Sequence, residues 1–157
     1  MKLGSVSGND PNSVNKYEGY LFNRNYDVAM LLFNYGLGQG DMLGTGSFRS
    51  LDANQDVDNE YLSNTFYIAP GMDWKWTDTT GLNARFIYAM LGRAQFTGQS
   101  SNLGMELDLG AYYKPHDRLT VHLDAGVLFP GAAFEGGASN FPTQTAYGVM
   151  TKAAVSF

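Results

Sequence analysis

The sequence contains no cysteine and only two histidines in 157 residues. The first absence excludes disulfides and thiolate metal centres, and two separated histidines do not by themselves make a zinc site. Charge is sparse at 16% of residues, and nothing basic is clustered. A formal charge of −5 and a pI near 4.8 exclude nucleic acid as a partner, because phosphate backbones demand a basic surface. Long hydrophobic runs are missing too. The nearest, Val28-Ala29-Met30-Leu31-Leu32-Phe33, ends at Asn34, far short of the roughly 20 apolar residues of a spanning helix. The N-terminal Met1-Lys2-Leu3-Gly4-Ser5-Val6-Ser7-Gly8 has neither the apolar core nor the cleavage site of a secretory signal. Catalytic signatures are also lacking: there is no Gly-x-Ser-x-Gly, no phosphate-binding loop and no His-Glu-x-x-His, and a triad built on His116 or His122 would be arbitrary. Neither an enzyme nor a cofactor-binding protein is expected.

What is present points to strands. Hydrophobic residues make up 44% of the chain, which also has 19 glycines, 10 tyrosines and 10 phenylalanines, a composition of extended segments joined by glycine- and asparagine-bearing turns. Residues 1–157 are expected to form a single all-β domain. From Thr65 the sequence alternates, with Phe66, Ile68, Pro70, Met72, Trp74 and Trp76 on one parity and Thr65, Tyr67, Ala69, Gly71, Asp73 and Lys75 on the other. Four further segments repeat the pattern: 82–91, 103–114, 119–130 and 146–157. Their apolar parities include Phe86, Leu103, Leu107, Leu109, Tyr113, Leu123, Phe129, Tyr147 and Phe157. The apolar parity of all five segments carries no charge, whereas the other parity holds Asp73, Lys75, Arg85, Glu106, Asp108, Lys114, Asp124 and Lys152, together with His122. Each segment therefore has one greasy face and one wet face.

Alternation alone does not say which face meets solvent, since a soluble sandwich would turn its apolar side inward. Segment length and loop asymmetry favour a membrane. The segments run about 11 to 13 residues, longer than the usual 5 or 6 of globular strands and near the requirement of a tilted membrane strand. Connections at 77–81 and 114–118 are tight, those at 94–102, 131–143 and 9–62 are long, and the two kinds alternate, as in outer-membrane barrels. On this reading Trp74, Trp76, Tyr113 and Phe157 form one lipid-facing aromatic girdle, and Phe66, Phe129 and Tyr147 the other. The expected architecture is an antiparallel transmembrane β-barrel with about six strands present, the sixth ending in residues 1–8.

The C-terminal Ala146-Tyr147-Gly148-Val149-Met150-Thr151-Lys152-Ala153-Ala154-Val155-Ser156-Phe157 resembles the terminal strand signal of bacterial outer-membrane proteins, with its final Phe and alternating apolar residues. That resemblance implies an outer-membrane location, contact with lipid and lipopolysaccharide, and folding by the barrel-assembly machinery. Ser5-Val6-Ser7-Gly8-Asn9-Asp10-Pro11-Asn12, followed by Lys16-Tyr17-Glu18-Gly19 and Leu21-Phe22, is similar to the strand end and loop of alginate-export-type and related porin-like barrels. The resemblance implies a C-terminal portion of a larger barrel with further N-terminal strands. It also implies a channel for passive passage of small hydrophilic solutes or for polysaccharide export. The alternative is a non-conducting surface or adhesion barrel that binds ligands through its long loops.

Three groups of residues are candidates for function. The mixed-sign parity, Asp73, Lys75, Arg85, Glu106, Asp108, Lys114, His122, Asp124 and Lys152, would line a pore. Segment 9–62 is expected to be a long extracellular or lumen-folded loop. Its centre, with Tyr26, Asp27, Met30, Leu32 and Phe33, is too apolar for a solvated loop and is expected to form a constriction, against the alternative of a short strand pair extending the wall. Asp52, Asn54, Asp56, Asp58 and Glu60 occupy alternate positions and resemble the start of a calcium loop, but Val57 and Ser63 stand where such a loop needs Gly and Glu. A solvated acidic loop is the better reading there.

Overall fold

The computed structural model describes residues 1–8, 10, 12–13, 15–16, 18–20, 22–23, 26, 28–33, 62–94, 97–135 and 143–157. Among these residues seven strands form one antiparallel sheet: β1 (Lys2–Val6), β2 (Thr65–Ala69), β3 (Gly71–Lys75), β4 (Thr80–Leu91), β5 (Asn102–His116), β6 (Leu119–Pro130) and β7 (Ala146–Val155). The order is β1-β2-β4-β5-β6-β7, with β3 also paired to β4. Among the described residues no helix is long and apolar enough to cross a membrane, and the sheet is open, with β1 at one edge and β7 at the other.

The single segment expected over 65–76 is divided at Pro70, for a local reason. Phe86 donates its N–H to the Pro70 carbonyl at 3.0 Å, but proline has no N–H to return, so that rung is half made. Register survives the break: Ile68 stands opposite Tyr88 and Gly71 opposite Arg85, so β2 and β3 occupy one continuous position beside β4. β1 flanks only the β2 half, from Lys2 opposite Ala69 to Val6 opposite Thr65.

A second departure concerns Leu103. Its parity placed it with Met105 and Leu107 on the apolar face, yet it is fully buried on the opposite side, whereas Met105 and Leu107 are exposed. Pairing between β4 and β5 shifts here, from Ala89 opposite Gly104 to Met90 opposite Asn102. The extra residue is a β-bulge made possible by Gly104, whose φ of 108° is a conformation that L side chains rarely adopt. A Cβ at Gly104 would also collide with the Phe129 carbonyl oxygen. The bulge turns Leu103 inward, where it joins the core.

The two faces of the sheet differ in what covers them. On the apolar face, strand register aligns Met72, Ala84, Leu109, Ala125 and Val149 in one row and Trp74, Leu82, Ala111, Leu123 and Thr151 in the next. Most of its large side chains are exposed, including Met72, Trp74, Trp76, Phe86, Leu107, Leu109, Leu123 and Val149. The core lies on the other face, near the end that carries the long connections. Tyr67, Ile87, Ala89, Leu91, Leu103 and Leu128 from the strands pack there with Val28, Ala29, Leu32 and Phe33 from the segment before β2, and with Ala133 of a 3-10 turn at Ala132–Phe134.

Candidate functional site

The covered face is graded along the strands. Nearest the long connections, Ile87, Glu106, Leu128 and Ala146 stand opposite one another across β4 to β7. The next row is Gly71, Arg85, Asp108, Gly126 and Gly148, followed by Asp73, Asn83, Gly110, Asp124 and Met150. The row nearest the tight turns is Lys75, Gly81, Tyr112, His122 and Lys152, and Lys114 lies two residues beyond Tyr112 on the same parity. All nine sequence-predicted lining residues therefore share one face. The carboxylates of Glu106 and Asp108 sit deep in it, whereas the three lysines gather toward the tight-turn end, a separation that the linear order of charges does not display.

Segment 28–33 crosses the upper rows through its backbone. Three successive amides donate to two carboxylates: Met30 N–H to Asp108 Oδ2 at 3.2 Å, Leu31 N–H to Glu106 Oε1 at 2.7 Å and Leu32 N–H to Glu106 Oε2 at 2.5 Å. Consecutive N–H groups converging on an anion form a backbone nest. Here the protein supplies the acceptors itself, as the carboxyl oxygens of Glu106 and Asp108. Arg85 Nη1 donates to the Val28 carbonyl at 3.3 Å, so the segment is held at both polarities. An apolar run could not otherwise lie on a charged surface, because its buried amides would lose water without replacement.

Packing follows from the glycines in these rows. A Cβ built on Gly126 would lie 3.2 Å from Met30 Sδ, and one on Gly148 would lie 3.1 Å from Leu31 Cδ2. The missing side chains leave the trough in which Met30 and Leu31 rest. At the β2 side, the Tyr26 hydroxyl hydrogen-bonds the buried Tyr67 hydroxyl at 2.6 Å, and Phe22 stacks on Tyr26 with centroids 5.0 Å apart. Leu32 and Phe33 are buried, and Phe33 meets Tyr67 edge-on at 6.2 Å. Asn64, fully buried with φ of 48°, ties the start of β2 to the β4–β5 connection. Its Oδ1 accepts the Arg93 N–H at 2.8 Å and its Nδ2 donates to the Arg93 carbonyl at 2.9 Å.

The lower half of the face is more open and keeps its polar groups in reach of water. Lys152 Nζ lies 3.5 Å from Asp124 Oδ2, Lys114 Nζ sits 5.6 Å over the Tyr112 ring, and the Tyr112 and His122 rings are 6.2 Å apart. Asp73 and Lys75 are exposed, with Lys75 bound to Asp78 at 2.8 Å.

No family model, curated protein or solved structure matches this chain. The site must therefore be read from its own geometry. The aromatic positions assigned to lipid-facing girdles, Phe66, Trp74, Trp76, Tyr113, Phe129, Tyr147 and Phe157, are all exposed. Trp74 and Trp76 stack in parallel at 6.0 Å near the β3–β4 turn. Asp27 and the candidate calcium residues Asp52, Asn54, Asp56, Asp58 and Glu60 lie outside the described residues. Among the described residues no group of three or more His, Cys, Asp or Glu side chains could hold a metal ion.

Sequence reasoning named the acidic pair and the apolar segment separately and missed that each satisfies the other. The available signal was chemical: an apolar run with unpaired amides needs acceptors, and Glu106 and Asp108 sit two residues apart on one parity. Tyr67, Asn64 and Leu103 were missed because nothing in a period of two distinguishes them from ordinary strand residues.

Proposed function

We propose that this chain supplies part of the wall of a bacterial outer-membrane β-barrel of porin-like type, passing small hydrophilic solutes and not acting as a catalyst. The observation that carries this reading is the inversion of the faces: the uncharged face is the exposed one, and the face bearing Arg85, Glu106, Asp108 and Asp124 is the covered one. In water such an apolar surface would be costly, since soluble monomers rarely expose large contiguous apolar patches. Against hydrocarbon the same arrangement is favourable. Dimensions agree as well. The ten residue-to-residue steps from Phe66 to Trp76, at about 3.3 Å each and inclined about 40°, cover about 25 Å of height, close to the apolar band of such barrels.

The open edges at β1 and β7 bear on the rest of the wall. Unpaired backbone groups in hydrocarbon cost several kcal/mol each, and bacterial barrels have at least about eight strands. Further strands of the same protein, preceding β1, are the expected complement. Export of polysaccharide is the narrower form of the proposal and rests on the resemblance of residues 5–22 alone.

A second reading, a non-conducting surface barrel that binds through its long loops, is favoured by one observation: segment 28–33 lies across the face that would line the lumen. Planar-bilayer conductance of the complete gene product, purified from outer membranes and checked by heat-modifiable gel migration, separates the two. Discrete opening steps support the channel. A folded barrel that never conducts supports the surface-binding reading, and a complete product that is stable and monodisperse without detergent would sink both.

A further inference from the structure

We propose that Glu106 is a positioning residue that latches segment 28–33 across the inner face, so that channel width is set by this latch and not by the strand wall alone. The consequence for conductance rests on the channel reading above; the geometry of the latch does not.

Glu106 is fully buried on β5, between Ile87 of β4 and Leu128 of β6, and offers one oxygen to each of two adjacent amides. A carboxyl side chain is suited to this task, because it turns one oxygen toward each of the two neighbouring amides. An amide in its place would present one acceptor and one NH2, and the NH2 would meet an N–H of Leu31 or Leu32 donor to donor. Asp108 takes the preceding amide and Arg85 the Val28 carbonyl, so the polar contacts continue along the segment. Met30 and Leu31 settle over Gly126 and Gly148, which places the segment across β6 and β7 as well as β4 and β5. Four backbone hydrogen bonds to wall side chains and a shallow glycine trough thus seat the segment. Disrupting the acceptor should release it while leaving the strand ladders intact.

The absence of cysteine makes a single introduced thiol a clean reporter. Ala29 belongs to the segment and is buried in the core while the segment is seated, so Ala29→Cys should be shielded from a water-soluble maleimide in the folded, complete protein. Adding Glu106→Gln should raise its labelling rate by about tenfold or more, the scale of one buried amide left without its acceptor, and should enlarge the single-channel conductance step. Leu31→Pro removes one of the same bonds from the loop side and leaves the wall untouched. It should act in the same direction, and it keeps the test open if the Glu106 variant does not reach the heat-modifiable folded form. Equal labelling with and without the latch substitutions, or free labelling of Ala29→Cys alone in the folded protein, would overturn the proposal. Faster labelling in a protein that forms no channel under any condition would uphold the latch and place the failure in the channel reading.

Discussion

Leu109 offers the sharpest test of where the apolar face sits. It occupies the middle of the row Met72, Ala84, Leu109, Ala125 and Val149, and half of its side chain is exposed. Tyr113, nearer the tight-turn rim, is four residues away, about 13 Å along the strand, too far for an arginine stem to carry its charge to the interface. If this face meets lipid, Leu109→Arg places a guanidinium near the bilayer midplane at a cost of about 2–4 kcal/mol, an about 30- to 900-fold shift in the folding equilibrium. If the face meets water, an exposed leucine replaced by arginine stays within about 0.5 kcal/mol of wild type. Val121→Arg is the internal control. Val121 is exposed on the same face but aligned with Tyr113 near the rim, where the membrane cost falls to about 0–1 kcal/mol. Denaturant titration of the complete protein in phospholipid vesicles, followed by tryptophan fluorescence, reads both variants. Indistinguishable midpoints for Leu109→Arg, Val121→Arg and wild type would refute the lipid-facing assignment.

Other expectations follow from single side chains. Asn64→Ala loses two hydrogen bonds to Arg93 and places a Cβ-bearing residue without side-chain compensation at φ of 48°. A destabilisation of about 2–4 kcal/mol is expected in the same titration, and Asn64→Gly should recover the backbone share of it. At Gly126 a new Cβ would lie 3.0 Å from Asp108 Oδ1 and 3.2 Å from Met30 Sδ. Gly126→Val is therefore expected to displace the segment and expose an Ala29→Cys thiol to maleimide, at an overpacking cost of about 1–3 kcal/mol. Asp78, in the β3–β4 turn, is held below its ordinary value of 3.8 by the hydrogen bond and charge of Lys75. Because its folded value is depressed, the contribution of this pair is present above the ordinary value and is lost as pH falls through the folded one. A carboxyl chemical-shift titration should place the Asp78 midpoint below that of a turn peptide, and Lys75→Met should remove the difference.

Much of the sheet was legible from the sequence because β-structure has a period of two. Parity assigned Phe66 and Trp74 to one face and Asp73 and Arg85 to the other, and register keeps them there. The tight turns near 77–81 and 114–118 were legible for a similar reason, since each interrupts the alternation with residues suited to turns. Leu103 escaped because its inward turn depends on an extra residue in β5 opposite β4, a property of two strands together. The division at Pro70 was written in the sequence, but only the preserved register on both sides shows that β2 and β3 remain one position in the sheet.

The sequence by itself determined that the sheet would have one uncharged face and one charged face. Alternation is symmetric, however, and says nothing about which side is covered. That was decided in tertiary structure, where the Met30, Leu31 and Leu32 amides needed acceptors and found them on Glu106 and Asp108. Those carboxylates lie roughly seventy-five residues away along the chain, as the separations of 74 to 78 in these bonds record. Complementary chemistry at that distance has no period to betray it. Folding brings the donors and acceptors together, and in doing so leaves the apolar face outward.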